Sequence, residues 1–447
     1  VARYDRLSDR NSAGIPSFSE WYYGPEYWQM LHYNFKNYSS SLFYDHISFD
    51  VNQQHFIESR HSRKYKQSNL KVQEEDVNAL CANIDLRKTH NLHFTSDYGV
   101  EAIYNHVKSQ AKIINILNQV ESSTTSRYPD GGSNYSSLGI YFSEKINLSK
   151  NLLLYSGARW TATNIKSKTN DPFFVQFIDR SFSVKNNAFT GSLGLNYTLH
   201  QHHIFSTSLS QGFRSPNVDD LGKIFESTVG QITIPNSKLN PEKALTYDLT
   251  YNYRNKNLTL EMNLFYTWLT DAITLEQTQL NNQDSIYLFD TWNKIFSLQN
   301  KQSANIYGAS YQVKWKLNDQ WMINHDLTYT VGKISSDKSP LDHIPPIVGN
   351  LGINYMHNHT ELSLLTQFNG NKPLSNYRLN TEDNEKYATP YGTLGWMTFT
   401  VRASKIFKDQ YKVVASIDNI LDTQYRRFGS GISSTGRNFV ISFIYGK

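Results

Sequence analysis

The stretch SLSQGFRSPNVDDLG, residues 208–222, changes character halfway along. Up to Phe213 larger side chains alternate with Ser and Gly, as expected for a β-strand with two different faces. Arg214 and Pro216 then end the strand, because Pro cannot donate to a sheet ladder and disfavours helical geometry in the residue before it. The sequence therefore predicts a strand ending near residue 214 and a long acidic loop after it.

The same alternation recurs along the 447 residues, in runs longer than the five or six residues usual in globular strands. Mean hydropathy is −0.55 and no stretch approaches the roughly 20 apolar residues of a membrane helix. The 30 Tyr, 24 Phe and 8 Trp suit the aromatic girdles at membrane interfaces. Composition leaves two classes open, a β-barrel membrane protein and an aromatic-rich soluble β-protein such as a propeller or a carbohydrate-binding sandwich.

Charge and cysteine content exclude other classes. The 44 basic and 39 acidic residues give a net charge of +5, too balanced for a nucleic-acid partner. The single Cys81 allows no intrachain disulfide. The sequence starts at Val1 without a signal peptide, so we expect it to be the later part of a longer unit.

Connection lengths decide between the two classes. Short polar turns are predicted at 37–41, 89–91, 147–151, 200–202, 254–257, 318–320, 357–359 and 408–410. Long loops are predicted between them, at 58–72, 111–133, 167–185, 214–242, 272–300, 335–346, 369–393 and 422–436. Strict alternation of short and long connections is typical of an outer-membrane barrel, whose periplasmic turns are short and whose extracellular loops are long.

The strand count predicts an incomplete barrel. Eight short turns join sixteen strands, and RNFVISFIYG after the last long loop adds a seventeenth. Residues 1–25 are predicted as a long loop, so the chain enters outside and ends inside. An antiparallel barrel of this kind needs an even number of strands. We therefore expect at least one further strand upstream of residue 1.

An ordered set of motifs resembles the TonB-dependent receptors of the Gram-negative outer membrane. GFRSPNVDDL resembles that family's strand-end motif, with Ser215 in place of the usual Ala, and NSKLNPEKALTYDL resembles the segment that follows it. IYGASYQVKWKL, HIPPIVGNLGINY and the terminal IDNILDTQYRRFG block are similar to later family motifs. The matching residues of the first two motifs are Phe213, Arg214, Pro216, Asn236, Leu239, Pro241 and Glu242.

The resemblance implies an all-β fold, a transmembrane antiparallel β-barrel with about 17 of 22 strands in residues 1–447. The family's plug domain, which carries the contact to the TonB energy-transducing complex, and five strands would be absent from this chain. The implied function is energised uptake of a metal-bearing nutrient across the outer membrane, first an iron complex such as a siderophore or haem. The alternatives are a corrinoid and a passive channel or binding barrel without energy coupling.

Aromatic and basic residues in the predicted outer loops are the candidate ligand contacts, because they can stack on a flat chelate and pair with its carboxylates. They are Arg127, Tyr128, Phe173, Phe174, Arg214, Tyr287, Trp292, Tyr377 and Tyr391, with Phe177, Phe289, Arg378 and Tyr387 nearby. Expected partners are outer-membrane lipid and a small metal chelate. No cofactor, resident metal or catalytic constellation is predicted.

Histidines do not change this prediction. The HQHH and HNH clusters, at 200–203 and 357–359, fall on short turns and are predicted to be solvated. His55 and His61 flank an outer loop and are better placed, though weak, ligand candidates. Between Pro216 and Asn236 there is no His, so haem ligation from that loop is not expected.

Overall fold

Period-two alternation in the sequence becomes one wide antiparallel sheet. The computed structural model describes residues 18–177, 179–222, 225–228, 230–288, 291–300, 303–378, 388–430 and 432–446. Among these residues no helix is long and apolar enough to cross a membrane.

Strands account for most of the described chain. In chain order they are β1 (Phe18–Tyr23), β2 (Tyr27–Asn37), β3 (His46–Lys64), β4 (Asn69–Asn91), β5 (Phe94–Asn115), β6 (Glu121–Ser123), β7 (Ser133–Asn147), β8 (Leu152–Lys168), β9 (Ser181–Leu199), β10 (His203–Arg214), β11 (Phe225–Thr228), β12 (Gln231–Ile234), β13 (Glu242–Arg254), β14 (Leu258–Thr270), β15 (Ile273–Gln277), β16 (Ser285–Leu288), β17 (Thr291–Asn300), β18 (Ser303–Lys316), β19 (Trp321–Ile334), β20 (Val348–His357), β21 (Thr360–Asn369), β22 (Trp396–Phe407), β23 (Tyr411–Asp418) and β24 (Asn438–Tyr445). The helices are α1 (Pro172–Val175), α2 (Val218–Gly222) and a 3-10 turn at Leu374–Asn376.

Nineteen of these strands form the main sheet. β1 and β2 lie end to end along β3, and β6 is a three-residue strand on the outer end of β5, so the sheet is seventeen strands wide. This confirms the predicted number of strands. The prediction of a loop is wrong for residues 18–23, because β1 resumes the pairing with β3 beyond the interruption at Gly24 and Pro25. The remainder of that predicted loop, residues 1–17, lies outside the described residues.

Seven of the eight predicted short turns join neighbouring strands at one end of the sheet, and the eighth, predicted at 89–91, lies two residues later, at 92–93, because β4 continues to Asn91. At the other end the predicted loop 58–72 is wrong, because β3 and β4 continue through it and are joined by residues 65–68 alone. Residues 58–72 are rich in charged side chains, and this composition is why the sequence predicts a loop. The strands nevertheless continue, with charged side chains such as Glu58, Arg60 and Glu75 on the inner face.

The outer face of the sheet carries a band of exposed apolar side chains. Leu193, Leu209 and Tyr247, paired side by side on β9, β10 and β13, are 54, 45 and 45 % exposed. Their immediate neighbours Ser208 and Ser210 face the interior, where Ser, Thr, Asn and charged residues predominate. An apolar outside and a polar inside are the reverse of a soluble β-protein and are typical of a lipid-facing barrel wall.

The two edges of the sheet are β1–β2 and β24. Within the described residues no backbone pairing joins one edge to the other. Both edge strands run from the long-loop end to the short-turn end, because sixteen antiparallel steps separate them. Pairing them directly would therefore make a parallel contact rather than continue the antiparallel ladder.

Two of the predicted outer loops fold together. The segments 215–241 and 271–300 supply a second, five-stranded sheet, in which β12 pairs parallel to β17 and β11, β15 and β16 complete the sheet. Ile232, Ile234 and Ile295 form its apolar core. We call these two segments, 215–241 and 271–300, the cap. A second apolar cluster, formed by Ile165, Leu221 and Leu239, packs the cap against the barrel wall at β8.

A charge on the lipid face should destabilise the barrel strongly. Replacing Leu209 with Arg should lower the free energy of unfolding by about 2–4 kcal/mol, because the guanidinium would be forced into hydrocarbon. Urea titration of the protein folded in lipid vesicles measures the loss. Ser208→Arg is the matched control, since it lies at the same depth on the inner face opposite Asp248. Equal losses for the two variants would contradict the assignment of the faces.

The direction of the edge strands predicts what closes the sheet. In a bilayer, residues 1–447 expressed without further strands should not form a protease-resistant, heat-modifiable barrel, because each unpaired backbone group in hydrocarbon costs several kcal/mol. Adding an odd number of strands should restore one, because both sheet edges can then pair antiparallel. Heat modifiability on gels distinguishes the two states. A stable inserted species from residues 1–447 alone would overturn the strand argument.

Candidate functional site

Arg214 organises the exit from β10. Its guanidinium donates to Asp220 at 2.6 Å and forms a second ion pair with Glu242, the first residue of β13. The other oxygen of Glu242 accepts the backbone N–H of Ile273 at 2.6 Å. Arg214 and Glu242 together thus join the end of one barrel strand, the start of the next and the first residue of β15.

The other motif residues extend this connection. Pro216 is fully buried, and Leu239, which is 3 % exposed, packs in the cluster with Leu221. The Asn236 amide donates to the Leu298 carbonyl at 2.8 Å and so fastens the loop to β17. Pro241 directly precedes β13, and Phe213 is the outward-facing residue beside Arg214. The motif therefore folds the segment after β10 over the barrel mouth.

A cavity of about 420 Å³ lies between this folded segment and the inner wall of β3, β4 and β5. Two rows of the wall face it. Phe56, Val77 and Val107, aligned across the strands, form an apolar row. Two residues further toward the loop end, Glu58 and Glu75 lie side by side in a polar row.

The cap contributes the opposite side of the cavity. Asp219 in α2 accepts hydrogen bonds from the Tyr128 hydroxyl at 2.7 Å and from Arg127 at 3.1 Å. Burial, followed by the Asp219 charge, raises the pKa of Tyr128 far above its usual value, so the hydroxyl stays protonated and donates. The Arg127 guanidinium also lies over the Tyr128 ring, 5.2 Å from its centroid. These contacts join the loop 116–132 to the loop after β10.

Glu75 is the unusual group of the cavity. It is only 5 % exposed, one oxygen accepts from Ser109 at 3.3 Å, and its Oε2 finds no hydrogen-bond partner among the described residues. Glu58, by contrast, is paired with Arg60 at 2.8 Å. Burial raises the pKa of Glu75 to about 7, with the Glu58 charge adding to the rise and Arg60 opposing it.

Glu75 lies beyond the apolar band. On the outward face of β4, Leu80 is followed toward the loop end by Asn78, Asp76 and Glu74, so the strand has left the band before it reaches Glu75. The cavity is therefore at the loop end of the barrel, in line with the mouth. A ligand arriving from that end would meet the cap first and this carboxyl group next.

The predicted contact residues do not form one cluster. Tyr128 lines the cavity and Arg127 lies behind it. Phe173 packs with Phe177 against the core of the cap, with ring centroids 5.4 Å apart. Phe174 has its side chain outside the described part, and Phe289 and Tyr387 also lie outside it.

The remaining candidates lie in two settings. Tyr287 and Trp292 form an edge-to-face pair on the β16–β17 hairpin and are 57 and 67 % exposed. Tyr391 is 81 % exposed. Tyr377 is buried, at 2 % exposure, with its hydroxyl 2.5 Å from that of Thr393 and the Lys372 ammonium over its ring. Its neighbour Arg378 pairs with Glu276 and so ties loop 369–393 to the cap.

Sequence reasoning missed Glu58, Arg60 and Glu75, because they fell in the stretch predicted as a loop. The signal that could have found them is their spacing. Phe56, Glu58 and Arg60 continue a period of two, and so do Glu75, Val77 and Ala79, which keeps all six on one face of continuing strands.

The histidine clusters lie at turns, as predicted. His202 contacts the Arg254 carbonyl at 2.9 Å, and His359 lies 3.4 Å from Asp409. His55 pairs with Asp76 on the outward face of β3, away from the cavity, and His61 stacks on Tyr22. In the described part of the chain no group of three or more His, Cys, Asp or Glu is placed to hold a metal ion.

Comparison with known proteins agrees with this architecture. The family model described as TonB dependent receptor-like, beta-barrel matches residues 1–420. The chain belongs to the TonB-dependent receptor family. Members of this family are transporters and not enzymes. No curated protein matches the sequence of this TonB-dependent receptor.

Solved structures share its fold at low identity. The copper transporter OprC superimposes with a TM-score of 0.76 at 14 % identity, over 96 % of this chain and 67 % of OprC. The ferric yersiniabactin uptake receptor FyuA from Yersinia pestis superimposes with a TM-score of 0.64 at 14 % identity, over 98 % of this chain and 63 % of FyuA. The Serratia marcescens hemophore receptor HasR, solved with HasA and heme, superimposes with a TM-score of 0.68 at 12 % identity, over 95 % of this chain and 66 % of HasR. The receptor thus spans about two thirds of the length of these structures.

The buried carboxyl predicts a pH-dependent stability. A pKa raised from 4.5 to about 7 means that the folded state holds a proton that the unfolded state has lost, so stability should fall as the pH rises through this window. Glu75→Gln should remove that loss and stabilise the receptor on the order of 1–3 kcal/mol at about pH 8, with little change near pH 4. Urea titrations at both pH values measure it. A variant less stable than wild type at the higher pH would contradict the unpaired carboxylate.

Proposed function

We propose that this chain is the barrel portion of an outer-membrane receptor for the TonB-energised uptake of a metal-bearing nutrient. The observation that carries the proposal is the combination of an outward apolar band, a polar interior and a cavity under a folded cap at the loop end. A ligand would bind from outside, and energy would arrive through a plug domain that contacts the TonB complex. Localisation in the Gram-negative outer membrane follows from the same proposal.

An iron complex, a siderophore or haem, is the first candidate for the nutrient. FyuA is named as a ferric yersiniabactin receptor, HasR was solved with a hemophore and heme, and OprC is named as a copper transporter. At sequence identities of 12–14 %, these similarities establish a shared fold and do not identify the ligand. A corrinoid remains the second candidate within the same family.

For the first encounter with a chelate we propose the exposed aromatic residues of the cap and of loop 369–393. Tyr287, Trp292 and Tyr391 present ring faces or edges to solvent, which suits stacking on a flat organic shell. Arg127 and Tyr128 lie deeper, beside the cavity. Arg214 and Tyr377 are already engaged in ion pairs and packing, so we assign them to holding the loops in place.

The two sheet edges, β1–β2 and β24, are not paired with each other among the described residues, and this supports a further part of the proposal. We propose that the plug and five barrel strands lie outside residues 1–447 and pair with β1–β2 and β24. The alternative from another class is a passive channel or binding barrel without energy coupling. It would share the barrel and the cavity and would lack any dependence on TonB.

Uptake by cells distinguishes the two. Cells producing the full-length receptor should accumulate a radiolabelled ferric chelate when TonB is present, and should only bind it at the surface when TonB is deleted. A panel of ferric siderophores, haem and cobalamin identifies the class. Equal accumulation with and without TonB would favour the passive barrel. The matched control is the same strain without the receptor, which sets the background for every ligand.

A further inference from the structure

We infer that the cavity under the cap is a subsite for an organic ammonium group, so that the ligand of this receptor carries a primary amine or a similar cationic arm. The inference rests on the proposed function for its biological role and extends it by naming the ligand chemistry. It is carried by the geometry of Glu75, Glu58 and Asp219 around one cavity.

The first step is the charge of the lining. Three carboxyl groups, on Glu58, Glu75 and Asp219, face the cavity. Asp219 is paired with Arg127 at 3.1 Å, whereas Glu75 forms no ion pair among the described residues. Arg60 is taken by Glu58 at 2.8 Å. The cavity therefore favours a cation over the carboxylates that anionic chelates would present.

The second step is the unsatisfied acceptor. Glu75 is 95 % buried, and its Oε2 has no hydrogen-bond partner among the described residues. A buried carboxylate oxygen without a partner is costly, and a turn of the Glu75 side chain, which lines the cavity, would bring this oxygen to a ligand N–H and remove the cost. The neighbouring lone pairs of Glu75 are only partly used, since Ser109 donates to Oε1 at a long 3.3 Å.

The third step is shape. The apolar row formed by Phe56, Val77 and Val107 leads to the carboxyl row. An alkyl chain lying on this row would present its terminal ammonium to Glu75. A volume of about 420 Å³ is sufficient for such an arm.

The site is suited to an organic cation rather than a bare metal ion. In the part of the chain that the structure describes, the carboxyl groups do not approach closely enough to form a cluster of three metal ligands. An ammonium needs one good acceptor and an apolar wall, and both are present. A single carboxylate with an adjacent hydroxyl suffices for that recognition.

The test compares two probes of equal size. Calorimetric titration of the full-length receptor near pH 8 with n-pentylammonium and with n-pentanol should show at least about tenfold tighter binding of the ammonium, because both can donate a hydrogen bond to the Glu75 carboxylate but only the cation forms an ion pair with it. Glu75→Gln should abolish this preference. Glu74→Gln is the matched control, since it removes the same charge from the adjacent, exposed residue on the outer face, and it should retain the preference.

A pH series on the wild type gives a second measurement that needs no variant. The preference for ammonium should decline as the pH falls through about 7, where Glu75 takes up a proton. The groups facing Glu75 are Glu58 and Arg60 of β3, Ser109 of β5, and Tyr128 and Asp219 of the loops.

Four results would overturn the inference: equal affinity for both probes, no binding of either, a preference that survives Glu75→Gln, or a preference that does not change with pH. None of these depends on TonB. Failure of TonB-dependent uptake would count against the proposed function but would not affect the binding titration with the two probes. The two proposals are therefore tested separately.

Discussion

The whole architecture depends on the need to pair every backbone N–H and C=O inside hydrocarbon. That need makes the strands long and continuous, and it places their irregularities outside the apolar band. The interruption at Gly24 and Pro25 shows this, because it lies level with Ser59, nearer the loop end than the outward-facing Tyr27. The same need makes the direction of the edge strands β1–β2 and β24 decisive, since equal directions exclude their antiparallel union.

At the loop end the constraint changes from hydrocarbon to water, and side-chain chemistry takes over from the backbone ladder. Arg214 is the main example. It ends a barrel strand, and its two carboxylate partners come from α2 and from the start of the next strand. The cap can then build a core of its own from Ile232, Ile234 and Ile295. Ordering a loop of this length costs conformational entropy, and the packing of its apolar core offsets that cost, so that the loop stays folded over the cavity.

The sequence predicted the barrel well because period two is imposed by lipid on one face and water on the other. The runs at 92–104, 189–199 and 307–317 have the faces that alternation assigned to them. Prediction failed where both faces meet water. Residues 58–72 have no apolar alternation, and the sequence therefore predicts a loop there, although β3 and β4 continue through this segment. The cap strands were missed because they are short and because β12 pairs with β17, which is remote in sequence.

The cavity could not be predicted from sequence for a related reason. Its character comes from one oxygen of Glu75, whose isolation depends on how the wall, Ser109 and the loop carrying Tyr128 pack around it. A carboxyl group in EED at 74–76 would ordinarily be solvated. Only the continued strand turns Glu75 inward while Glu74 and Asp76 remain on the side facing away. A buried acceptor that the fold itself leaves unsatisfied costs stability, and the proposed ammonium group would remove that cost when it binds.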